Sequence, residues 1–131
     1  ANIERFGLDE YLRSPRLACL PPQGYLEMVG LMNGATVVLT DSGGVQEETT
    51  ALGVPCLTLR ENTERPITVA QGTNTLVGRD IAALHGLVDA ILAGGGKRGR
   101  RPELWDGRTA GRIAGHLAQW LRAPRTARVT A

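Results

Sequence analysis

The sequence predicts an α/β fold, a parallel sheet with helices on both faces. Three observations carry that prediction. Apolar runs of strand length alternate with stretches in which apolar residues recur every three or four positions. Gly and Pro punctuate the junctions between them. A Ser42-Gly43-Gly44 turn stands where a strand-like run gives way to a helical one. Strands joined through helical crossovers lie parallel and are covered on both sides. A chain of 131 residues suits one domain with a core of its own.

Taken in order, residues 2–13 read as a helix, with Ile3, Phe6, Leu8 and Leu12 apolar. Leu17-Ala18-Cys19-Leu20 reads as a buried strand ended by Pro21-Pro22, since proline cannot donate to a ladder. Residues 24–33 form a helix around Tyr25, Met28, Val29, Leu31 and Met32. Residues 36–40 are a strand, and 45–52 a helix closed by Gly53. Residues 56–59 are the next strand, after Pro55. A short helix over 65–70 and a short strand over 75–77 follow. Asp80 caps a helix to about Leu92, with Ile81, Leu84, Val88, Ile91 and Leu92 on one face. Residues 109–121 form the last helix. The domain is expected over 1–122, with 123–131 a disordered tail.

The turn at 42–44 carries the chemistry. Gly43 and Gly44 have no β-carbon, so a phosphate can come close to their backbone. Ser42 adds a hydroxyl. The free N–H groups of the following helix point at the same spot, and the helix dipole favours an anion there. Glu47 and Glu48 follow within the first turns. A carboxylate just beyond a phosphate site suits a nucleotide, with phosphates on the glycines and ribose hydroxyls on the acid. A tight turn before a capped helix explains the same three residues. In an open parallel sheet ligands bind at the carboxyl ends of the strands, where Ser42 falls.

Other features exclude functions. Hydrophobic content is 42%, ordinary for a globular domain. No apolar run approaches the ~20 residues of a membrane helix. The start, Ala1-Asn2-Ile3-Glu4-Arg5, is not a signal peptide and lacks an initiating Met, which fits a fragment. Cys19 and Cys56 read as small buried hydrophobes, with no metal site implied. A cytoplasmic setting is expected. Gly94-Gly95-Gly96-Lys97-Arg98-Gly99 satisfies G-x-G-x-x-G, but it follows a helix and reads as a flexible loop. Residues 97–131 carry nine basic and two acidic groups, net +7; residues 1–96 carry six and eleven, net −5. A basic tail can mark nucleic-acid binding. Few aromatics interleave it, so no nucleic-acid partner and no membrane partner are expected. His85 and His116 lie in helical patterns and read as surface or packing residues.

A longer pattern surrounds the turn. Leu39 through Glu48, Leu52-Gly53-Val54-Pro55, Arg60, Thr63-Glu64-Arg65-Pro66, Gly72 and Leu76-Val77-Gly78 together resemble the non-hydrolysing UDP-N-acetylglucosamine 2-epimerases. Upstream the likeness takes in Pro22-Gln23-Gly24-Tyr25-Leu26 and Leu31-Met32; downstream, Asp106-Gly107 and Arg112-Ile113. The resemblance implies a Rossmann-like domain, the C-terminal half of a GT-B type two-domain fold. It implies that Ser42, Gly43 and Gly44 take the pyrophosphate and that Glu48 takes both ribose hydroxyls. Glu47, about 100° round the helix, would face bulk water or a neighbouring loop. Arg65 would stabilise the departing UDP. Gln23 and Met28 would lie along the uracil, Met28 through its backbone. Catalytic carboxylates are expected from an N-terminal domain outside this chain, and the whole protein is expected as a homodimer. The implied reaction inverts carbon 2 of UDP-N-acetylglucosamine by loss and re-addition of UDP, without a cofactor. A hydrolysing epimerase, another GT-B glycosyltransferase domain and a non-catalytic nucleotide-binding module share parts of this pattern.

Overall fold

The computed structural model describes residues 2–122. The expected tail, 123–131, lies outside them. The chain divides into two units, one up to Leu31 and one from Met32 onward, and each is described by itself.

The first unit holds helix α1 (Asn2–Arg5), a 3₁₀ turn (Asp9–Arg13), an irregular stretch and most of α2 (Tyr25–Asn33). Two sequence expectations fail here. The single helix over 2–13 is broken at Gly7, whose φ of +63° is left-handed. A glycine in that conformation ends a helix, and the Gly7 N–H turns back to the Glu4 carbonyl. Short helices draw most of their stability from a buried face; Phe6 and Tyr11 are each 65% exposed. Residues 17–20 form no strand, and no strand of the sheet pairs with them. Leu17 and Leu20 are exposed, and so is Cys19, which is therefore not the buried hydrophobe expected. An apolar run of strand length becomes a strand only with a ladder partner.

The second unit contains β1 (Val38–Thr40), α3 (Gly43–Leu52), β2 (Cys56–Thr58), α4 (Pro66–Ala70), β3 (Asn74–Leu76), α5 (Ile81–Leu92) and α6 (Thr109–Arg122). The three strands are parallel in the order β1-β2-β3. Val38, Cys56 and Asn74 share one register position; Leu39, Leu57 and Thr75 share the next. Alternation sends these two rows to opposite faces. The Asn74 row meets α3 and α4, as the side-chain bonds below show. Leu57 and Thr75 share a small cavity with Leu87, Ala90 and Ile91 of α5. The sheet is thus covered by helices on both faces, and β2 is its buried centre.

Cap chemistry sets the element ends. Gly53, at φ +77°, closes α3, and its N–H reaches the Thr49 and Thr50 carbonyls. Asp80 Oδ1 accepts from the Ala83 N–H at 2.9 Å and opens α5. Pro66 begins α4, where its missing N–H costs nothing. The apolar core is small: Met32, Val54, Cys56, Leu57 and Ile91. Much of the rest of the interior is polar, with Gln46, Thr49, Thr58, Thr68 and Asn74 all at 0% exposure. Burial pushes the Cys56 thiol above its ordinary range, against weaker opposing bonds from Thr49 and Thr58.

The glycine run 94–99 forms neither helix nor strand, and it is tied down. Lys97 Nζ donates to the carbonyls of Val69 and Asn74, the latter at 2.7 Å. The Arg100 N–H donates to Gln71 O. Gly99 lies so close to Gly72 that a β-carbon on it would stand 2.2 Å from the Gly72 carbonyl carbon. Among the described residues no helix is long and apolar enough to cross a membrane.

Candidate nucleotide-binding site

The site is built at the carboxyl end of β1. Thr40 ends the strand, and its Oγ1 accepts the Ser42 N–H at 3.0 Å, which shapes the turn. Ser42 is the N-cap of α3, extended at φ −85°, ψ 132°, and its hydroxyl makes no capping bond. The helix begins at Gly43, two positions before the expected Val45. Both glycines are therefore helical residues whose N–H groups belong to the unpaired first turn. A β-carbon on either would meet nothing within 4 Å. The protein leaves that approach open.

Glu47 and Glu48 lie one turn further along and are half-buried. With Ala51 and Trp105 they line a shallow depression. Glu47 Oε1 stands 3.0 Å from Arg65 Nε, an ion pair without hydrogen-bond alignment. Glu47 thus faces a neighbouring loop and leaves Glu48 as the unengaged carboxylate of the pair. Arg65 is the N-cap of α4. Its N–H donates to Thr63 Oγ1 at 2.9 Å, and its carbonyl accepts from Thr68 Oγ1 at 2.7 Å. The preceding Glu64 is paired with Arg60 through both guanidinium arms, at 3.2 and 3.3 Å. Its own backbone N–H, then Arg60, hold the Glu64 carboxyl below the usual range.

The structure therefore brings Ser42, Gly43, Gly44, Glu48 and Arg65 onto two adjoining helix starts in the second unit. Gln23 and Met28 belong to the first unit. Gln23 precedes α2 and donates Nε2 to Pro21 O at 2.7 Å; Met28 lies on α2 and is 40% exposed. His85 lines an apolar groove with Leu39, Leu84 and Val88, and His116 is exposed on α6.

Sequence reasoning missed the polar cluster under Arg65. Thr63 Oγ1 donates to Gln46 Oε1 at 2.6 Å, and Asn74 Nδ2 donates to the same oxygen at 3.0 Å. Asn74 also donates to Thr68 Oγ1 at 3.1 Å and accepts from Thr58 Oγ1 at 2.6 Å. Polar residues at the strand positions Thr58 and Asn74 were the available signal. Their partners lie 16 and 28 residues away in sequence.

A parallel α/β unit with a glycine-started helix at a strand end, a carboxylate beyond it and an arginine beside it belongs to the Rossmann-like class of nucleotide-binding folds. The particular family follows from comparison with known proteins. The profile of the UDP-N-acetylglucosamine 2-epimerase family matches residues 3–118, and the chain belongs to that family. A UDP-N-acetylglucosamine 2-epimerase of Methanocaldococcus jannaschii is 44% identical over 76% of this chain and 30% of its own length. The crystal structure of the enzyme from that organism in complex with UDP-GlcNAc and UDP superposes with a TM-score of 0.75 at 42% identity, over 89% of this chain and 32% of that one. A Neisseria meningitidis UDP-GlcNAc 2-epimerase bound to UDP-GlcNAc gives 0.66 at 31% identity, over 90% and 33%. The chain spans about a third of the length of these relatives.

Proposed function

We propose that this chain is the C-terminal, UDP-binding part of an enzyme that interconverts UDP-N-acetylglucosamine and UDP-N-acetylmannosamine. The observation that carries the reading is the open glycine start of α3 with Arg65 tied alongside it. Phosphates take the first-turn N–H groups and the Ser42 hydroxyl. Glu48 accepts both ribose hydroxyls, which a carboxylate can do at once. Arg65 exchanges part of its pairing with Glu47 for the phosphates and stabilises the negative charge that grows as UDP leaves. Gln23 and Met28 are assigned to the uracil by resemblance. Proton transfer at carbon 2 is assigned to residues in the part of the relatives that this chain does not span. No cofactor enters the scheme. A cytoplasmic setting rests on composition and cysteine usage, and a homodimeric whole protein on resemblance alone.

Titration of the chain with UDP, followed by calorimetry or NMR, tests the reading. A dissociation constant on the order of 0.1–1 mM is expected for a single-sided site. No response at several millimolar UDP would overturn it.

A further inference from the structure

We propose that Gln46 and Thr63 are positioning residues that hold Arg65 in register with the helix bearing the anion turn. The inference rests on the nucleotide reading above. Both backbone polar groups of Arg65 are occupied by threonines: its N–H by Thr63 Oγ1 and its carbonyl by Thr68 Oγ1. Each threonine leads back to one atom. Thr63 donates to Gln46 Oε1 directly, and Thr68 reaches it through Asn74 Nδ2. The result is a closed ring from Arg65 N–H through Thr63, Gln46, Asn74 and Thr68 to the Arg65 carbonyl. Gln46 sits two residues after Gly44 on α3. The ring therefore fixes the arginine to the phosphate turn without touching either phosphate or guanidinium.

Burial decides which contact does the positioning. The Glu47–Arg65 ion pair has both side chains about 40% exposed, at 41% and 43%. Such a pair is screened and contributes little. Gln46, Asn74 and Thr68 are at 0% exposure. The bonds from Asn74 to Gln46 and Thr68 are shut off from water and the three that reach Thr63 and Arg65 are partly so; such bonds outweigh an exposed pair, and breaking one leaves a polar group short of a partner away from water. The ring also survives a ligand that draws the guanidinium away from Glu47, because it grips backbone and not side chain.

The test uses the full 131-residue chain with UDP and uridine as probes. Uridine carries the ribose but no phosphate, so it reports Glu48 and not Arg65. Thr63 is half-buried at a loop, and Thr63→Val keeps its shape while removing the hydroxyl. This variant should weaken UDP about five- to tenfold and leave uridine within about twofold. Thr63→Ser should restore UDP affinity. In an Arg65→Ala background Thr63→Val should add nothing, since residues acting through one another are non-additive. Without ligand, the Arg65 amide should exchange with solvent at least about tenfold faster in Thr63→Val. Gln46→Met should repeat the UDP pattern if its melting temperature holds; if it does not, the Thr63 variants decide alone. Equal loss of UDP and uridine, full additivity with Arg65→Ala, or an unchanged Arg65 amide would overturn the proposal. An Arg65→Ala chain that binds UDP normally would instead sink the phosphate role of Arg65, and amide exchange would still decide the positioning.

Discussion

Two adjacent carboxylates on α3 differ in their partners. Both line the depression beside Trp105, but Glu47 is paired with Arg65 and Glu48 is not. Glu48→Ala should remove two hydrogen bonds to the ribose, roughly 1.5–3 kcal/mol each before rearrangement. UDP and uridine should both weaken at least about tenfold. Glu47→Ala removes a half-exposed ion pair worth about 0–1 kcal/mol and frees the arginine for phosphate. UDP affinity should stay level or rise slightly. Calorimetric titration of both variants checks this; a larger loss in Glu47→Ala would reverse the assignment of the ribose acid. The glycines divide in the same way. Gly44→Ala meets no protein atom within 4 Å, and alanine is the better helix former by up to about 1 kcal/mol. That variant should melt at or above the parent temperature and bind UDP at least about tenfold more weakly, because the methyl occupies the phosphate's approach. Gly72→Ala and Gly99→Ala should do the reverse to stability. A β-carbon on Gly99 would lie 2.2–2.6 Å from backbone atoms of Gly72 and Thr73, and one on Gly72 would lie 2.3–2.6 Å from the buried Thr50 side chain and the Thr68 carbonyl. Thermal melting should fall in both, by an amount typical of overpacking, about 1–3 kcal/mol.

At the scale of elements, signals that act within four residues were legible in sequence and long-range ones were not. Gly53 and Asp80 mark helix ends because a left-handed cap and an N-cap are local chemistry. The helix over 24–33 and the parallel pairing of the strands also follow from periodicity and crossover logic. The sequence pattern starts α3 at Val45, two residues late, because glycine is a poor helix former; at Gly43 and Gly44 it is accepted in the first turn. The run 17–20 has strand composition, yet composition cannot supply a ladder partner. The ring around Gln46 joins residues 17 and 28 positions apart, so no window of sequence contains it. The entry to α6 shows a local device with a pH signature. Leu104 holds a left-handed φ of +68°, and its carbonyl accepts from Arg112 Nη1. Asp106 accepts from Arg112 and from the Arg108 N–H, and these bonds lower its carboxyl to about 2 from 3.8. A depressed folded value means support present above the unfolded pKa and lost as pH falls through the folded one. The clamp should thus hold above about pH 4 and open between about pH 4 and 2. An NMR titration of the Asp106 carboxyl and the first amides of α6 should show that window. A midpoint near 4 for Asp106, or no α6 response, would contradict it.

At the scale of the whole molecule, the division of labour is the main consequence. On the function proposed above, the second unit would recognise and neutralise a nucleoside diphosphate with the first-turn N–H groups of α3, Glu48 and Arg65. Electrostatic help to a leaving group can be supplied from one side of a cleft. Inverting a carbon also needs a base within about 3 Å of the proton it removes. Several acids of the second unit are committed elsewhere. Glu47 is engaged with Arg65, Glu64 with Arg60 and Asp106 with Arg112. Asp80 is bound into a helix cap, and Glu48 is assigned to the ribose. The relatives are about three times longer, which leaves room for the missing acid–base chemistry. The chain alone should therefore bind UDP-N-acetylglucosamine weakly and leave carbon 2 untouched. Incubation with the sugar nucleotide in deuterated water, read by proton NMR, should show the carbon 2 signal at full intensity after prolonged exposure. Deuterium at carbon 2, lost again in Arg65→Ala, would place a working base on this chain, with Glu48 or Asp41 as the first residues to replace.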